Sequence, residues 1–77
     1  MKSILENPKL TEATDKITFD MLINMKHGEE IELNDTYTLY HYTEDDIIVV
    51  CYSDTWEEIF QMMYNPDTKD VFFESLI

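Results

Sequence analysis

Hydrophobic periodicity changes from helical to alternating at Gly28, the chain's only glycine. Before it, apolar residues recur at helical spacing; after it they alternate, the pattern of strands with one buried face. A chain built this way is expected to be α+β, with an antiparallel three- to four-stranded sheet and two or three short helices packed on one face. Its 77 residues are expected to form a single acidic domain spanning 1–77, near the lower size at which one core suffices.

Local signals place the elements. Asn7 and Pro8 suit the cap and first turn of a short helix reaching about residue 14. Residues 18–27 predict a firmer helix. Thr18 caps it, Ile17 and Leu22 can staple its entry, and Asp20 sits in the first turn, where the dipole favours a negative charge. Gly28 then offers a left-handed C-terminal cap.

Residues 30–33, 37–42 and 47–52 read as a meander of three strands, joined by a two-residue turn at Asn34-Asp35 and a second turn over 43–46. Asp54, with Glu57 three residues on, makes a variant capping box. Trp56, Ile59, Phe60 and Met63 fall at i, i+3, i+4 and i+7, so a last helix is expected there. Asn65-Pro66-Asp67-Thr68 turns the chain, and residues 71–76 can add a fourth strand.

These turns would set Leu33 opposite Thr36 and Tyr42 opposite Ile47, because cross-strand pairs share a face. One face then holds Ile31, Leu33, Thr38, Tyr40, Tyr42, Ile47, Val49 and Cys51, and is expected beneath the helices. The other holds Glu30 and Glu32 with Tyr37, Leu39, His41, Ile48, Val50 and Tyr52. Half apolar, it is expected to serve as a homodimer interface or a partner-binding surface.

Charge narrows the function. Seventeen carboxylates face five lysines and no arginine, a net charge of -12, which repels nucleic acid and anionic membranes and suits a strongly basic partner. A hydrophobic content of 44% is too high for a disordered acidic tract. The Met1-Lys2-Ser3-Ile4-Leu5 start breaks at Glu6, Asn7 and Pro8, so it does not read as a signal peptide, and a cytoplasmic location is expected.

Lone Cys51 excludes an internal disulfide and a cysteine-based zinc site. The alternation also sets it across the sheet from His41, against a Cys-His catalytic pair. Glu44-Asp45-Asp46 and the acids of 67–70 lack the spacing and glycine of an EF-hand, and no glycine-rich loop awaits phosphate. The expectation is a protein that is not an enzyme, with no catalytic residues, no metal and no cofactor.

The carboxylates that remain are Glu29, Glu30, Glu32 and Asp35, then Glu44, Asp45 and Asp46, then Asp54, Glu57 and Glu58. Glu30 and Glu32 stand about 6.7 Å apart by strand rise, close to the separation of neighbouring phosphates. On Glu30-Ile31-Glu32, Glu44-Asp45-Asp46 and the acids of 54–58, and in its size and charge, the chain resembles the small acidic DNA-mimic proteins that bacteriophages make against host nucleic-acid-binding proteins. The resemblance implies an inhibitor that occupies the DNA-binding surface of a basic protein, such as the histone-like protein HU or the sliding clamp, and competes with DNA. The alternative is a small acidic adaptor or regulatory domain docking through an aromatic sheet face.

Overall fold

The structure is a computed structural model and describes residues 8–76. They form two short helices, α1 (Pro8–Asp15) and α2 (Phe19–Asn24), and then five strands, β1 (Glu30–Glu32), β2 (Tyr37–His41), β3 (Ile48–Tyr52), β4 (Glu58–Tyr64) and β5 (Val71–Ser75). The strands pair in chain order, every neighbour antiparallel. The class is α+β, with one strand more than the upper number expected.

Pro8 opens α1, where its fixed φ and missing N–H cost nothing; the Asn7 cap and the 1–5 segment lie outside the described residues. Leu10 and Ala13 on α1 and Ile17 beyond it point inward. Thr18 caps α2, its Oγ1 accepting the Met21 N–H at 3.2 Å, and the staple residues Ile17 and Leu22 are both buried. The helix stops at Asn24, since Met25 already has extended backbone. Gly28 does take a left-handed φ of 84°, but it serves the turn into β1 rather than a helix end.

A single turn decides which sheet face is covered. Asn34 Oδ1 accepts the N–H groups of Thr36 and Tyr37, both at 2.9 Å, closing a loop of Asn34, Asp35 and Thr36 in place of the expected two-residue turn. Leu33 therefore meets Tyr37, its N–H donating to the Tyr37 carbonyl at 3.0 Å, and Ile31 pairs with Leu39. A one-residue slip sends every side chain of β2 to the other face, and β3 follows because the next turn closes as expected, with the Tyr42 N–H donating to the Ile47 carbonyl at 2.9 Å.

The face assignment inferred from sequence is thereby inverted for these strands. Tyr37, Leu39, His41, Ile48 and Val50 are buried, and Tyr52 is half-buried. All but His41 belong to or pack against the apolar cluster that Leu10, Ala13, Leu22 and Met25 complete from above. These six are core-side residues rather than an exposed interface. Thr38, Tyr40, Val49 and Cys51 share the opposite face.

The helix expected after Asp54 is instead strand β4. β3 is buried from Ile48 to Cys51, and a strand so apolar on both faces needs a hydrogen-bonded neighbour on each side. β4 supplies the second. A ten-residue helix of moderate propensity cannot compete with that ladder. Of the supposed helical stripe only Ile59 and Phe60 are buried, while Trp56 and Met63 are exposed.

β4 also carries an irregularity that matters below. Val50 pairs with Phe60 but Cys51 pairs with Glu58, so Ile59 is an extra residue, a β-bulge. The bulge breaks the two-residue alternation, so Glu58 faces away from the helices while Phe60, two positions on, faces them.

Candidate functional site

Four carboxylates lie within strands: Glu30, Glu32, Glu58 and Glu74. The register puts all four on the face away from the helices, Glu30 beside Tyr40, Glu32 beside Thr38, Glu58 beside Cys51 and Glu74 beside Gln61. Strand spacing of about 4.8 Å sets Glu58 roughly 14 Å from Glu32 and Glu74 roughly 19 Å from Glu30. Among the described residues no strand carries a lysine.

The charge is divided between two layers. Residues 8–27 hold Glu12, Asp15 and Asp20 against Lys9, Lys16 and Lys26, and balance; of residues 28–76 only Lys69 is basic, against all the other described acids. Two of these lysines, Lys9 and Lys16, are further occupied in fastening α1 to the β1–β2 turn. Lys16 Nζ donates to the Leu33 carbonyl at 2.6 Å, Lys9 Nζ to Asp35 Oδ1 at 2.8 Å, and Asn34 Nδ2 to the Lys9 carbonyl at 2.9 Å.

An aromatic ridge crosses the acidic face. The Tyr40 ring lies 6.0 Å from that of Tyr42 and 6.3 Å from that of Trp56. Trp56 adopts a left-handed φ of 61° in the β3–β4 turn and leaves 47% of its surface exposed. Tyr42 Oη donates to Glu58 Oε1 at 2.6 Å. That bond, helped by partial burial and the negative charge of Glu58, pushes the Tyr42 phenol up to about 12, so the hydroxyl stays a donor at neutral pH.

Val49 and Cys51 floor this face and are buried. Cys51 Sγ donates to the Thr38 carbonyl at 3.5 Å. Burial first, then the charges of Glu58 and Glu30, push its thiol up to about 11, which removes the thiolate a nucleophile needs. His41 stands on the other side of the sheet, as the alternation requires.

The carboxylates singled out from the sequence separate into groups. Glu30, Glu32 and Glu58 share the open face, and Glu44 and Asp45 line a shallow depression with Glu58, Tyr40 and Tyr42. Asp54 and Glu57 lie instead beside Tyr52 at the β3–β4 turn. Asp35 is drawn off by Lys9, whose hydrogen bond holds its carboxyl below the usual range. Glu29 Oε1 accepts the Lys26 N–H at 2.9 Å, and Asp46 lies 3.0 Å from His27. Sequence reasoning missed Glu74 and placed Tyr40 and Tyr42 in the core; both errors follow from the face inversion and from reading β4 as a helix.

Among the described residues no helix is long and apolar enough to cross a membrane. Set against known proteins, the chain matches no family model, no curated protein and no solved structure.

Proposed function

We propose that this protein is a non-enzymatic DNA-mimic inhibitor that acts in the cytoplasm, its open sheet face standing in for the phosphate backbone and binding a basic DNA-binding protein in competition with DNA. The observation that carries the reading is that every carboxylate within the strands is on one face and no strand lysine interrupts it. Charge density supports it. Extents of 32 and 28 Å bound that face at roughly 900 Å², and its four strand carboxylates with Glu44 and Asp45 give roughly one charge per 150 Å². A duplex about 20 Å wide, with one charge per ~1.7 Å of axis, carries roughly one per 110 Å².

The test is competition. A labelled DNA duplex bound to HU, the sliding clamp or another basic DNA-binding protein is displaced by the wild-type chain, and less well as salt rises. Reversing Glu30 and Glu32 together to lysine should weaken displacement at least about tenfold, the equivalent of 1.4 kcal/mol, with the far-UV spectrum unchanged. Displacement that ignores both salt and the double reversal would end the reading.

A second reading has its own observation in the exposed ring of Trp56 on the same face. As an adaptor, the protein would anchor its partner on Trp56 and Tyr40, because rigid aromatics dominate interface energetics. Trp56→Ala would then abolish partner binding while the double charge reversal left it intact.

A further inference from the structure

On the helix side of the sheet, where the phosphate-mimic reading makes no use of them, two histidines and an aspartate converge. His41 ends β2 and is only 6% exposed. Its Nδ1 lies 3.1 Å from the Met25 carbonyl oxygen. A carbonyl can only accept, so Nδ1 carries a proton, and in the neutral imidazole Nε2 then presents a lone pair. That Nε2 is buried and has no hydrogen-bond partner among the described residues.

His27 stacks edge-on against it, ring centroids 4.5 Å apart, and its Nε2 sits 3.0 Å from Asp46 Oδ1. One ligating atom from each of His27, His41 and Asp46 falls within 4.8 Å of the other two. An ion pair between His27 and Asp46 would satisfy those two and leave His41 Nε2 stranded. A cation shared by all three satisfies every one of them.

We propose that His41 Nε2, His27 and Asp46 form a binding site for a divalent transition metal ion of the zinc class. A tetrahedral zinc site with bonds of about 2.0–2.1 Å sets its ligand atoms roughly 3.3 Å apart. His27 and Asp46 already meet that spacing within a few tenths of an ångström. Their side chains are 50% and 98% exposed, so they are free to rotate the remaining distance toward the fixed His41.

The surroundings fit the same reading. A backbone carbonyl bonded to Nδ1 is the usual device that orients a ligating imidazole and fixes its tautomer. The His27 turn is tied to His41 by two backbone bonds, the Gly28 N–H to the His41 carbonyl at 2.8 Å and the His41 N–H to the Glu29 carbonyl at 3.1 Å. Leu22, Ile23, Met25 and Ile48 wall the cleft. Two imidazoles and one carboxylate suit zinc over calcium or magnesium and leave a fourth position for water or a partner's ligand.

The experiment titrates Zn²⁺ and Co²⁺ into the full chain by calorimetry and visible absorption, with excess Mg²⁺ to occupy the scattered surface carboxylates. One equivalent is expected to bind, Co²⁺ should give the intense bands of a tetrahedral ion, and the His41 Nε2 nitrogen resonance should shift on adding Zn²⁺. His27→Ala and Asp46→Asn, both exposed and so expected to fold, should each weaken affinity at least about tenfold, since even outer-shell partners contribute 10–100-fold. Binding that Mg²⁺ abolishes, affinity unchanged in both variants, or an unmoved His41 resonance would each overturn the proposal. None of these outcomes bears on DNA competition, which depends on the other face.

Discussion

The two faces of this sheet are built from the same strands by opposite rules. Leu39, Val50, Phe60 and Met62 pack beneath α1 and α2, in a layer whose charges balance, and contribute the burial that folds the chain. The other face keeps its carboxylates uncompensated around Tyr40, Tyr42 and Trp56. A small protein can carry twelve excess negative charges because none of the described carboxylates lies in its apolar core. The repulsion falls on that open face and on the turns, where Glu29, Asp46, Asp54 and Glu57 lie, and not on the core that holds the fold together.

The sharpest way to break the comparison is to exchange the roles of the faces. Phe60→Ala should cost about 3–5 kcal/mol in urea unfolding, as large-to-small changes in a packed core do, and would leave much of the population unfolded. Tyr40→Ala on the open face should cost about half as much or less, because the site can collapse toward solvent. Equal losses would mean that the open face is a second core.

Gly28→Ala should come next, at about 1–2 kcal/mol. The left-handed φ disfavours a side chain, and a Cβ there would stand 3.3 Å from Thr43 Cγ2. A smaller effect is expected for Tyr42→Phe, about 1 kcal/mol or less, since its partner Glu58 is exposed. The sign with pH follows from the raised phenol. The Tyr42 contribution is complete below about 10, the ordinary tyrosine value, and is lost as pH climbs through about 12. Absorbance at 295 nm should show one late-ionising tyrosine that Tyr42→Phe removes.

The smallest effect concerns the exposed Lys9–Asp35 pair. Its lowered carboxyl contributes above the ordinary value of 3.8 and fades as pH falls below it. Asp35→Asn should flatten the acid limb of a stability profile only slightly, and a large change there would show that α1 depends on this ion pair for its docking.

Legibility in the sequence tracked how local each determinant was. The Thr18 cap, the Ile17–Leu22 staple, the 43–46 turn and the last strand depend on neighbours a few residues away, and the structure has them where expected. The β1–β2 loop turned on whether the Asn34 side chain would take two backbone N–H groups, a choice that Asn34-Asp35 does not spell out. One extra loop residue then inverted two strands. β4 was missed for a different reason, since a short apolar run satisfies both periods and only the demand of β3 for a second neighbour decides between them. The convergence of His27, His41 and Asp46 joins three separate segments, and no spacing along the chain encodes it.

The extra residue at Ile59 makes the reading frame of β4 a determinant of surface charge. Without the bulge, and with every residue of β4 kept, strict in-out rhythm would put Glu58 and Phe60 on one face and force a choice between swinging Phe60 into water and driving the Glu58 carboxylate under the helices. The aim of this acidic side chain is thus set by the one extra residue that follows it, which lets an anion and a core aromatic two positions apart serve opposite faces of the sheet.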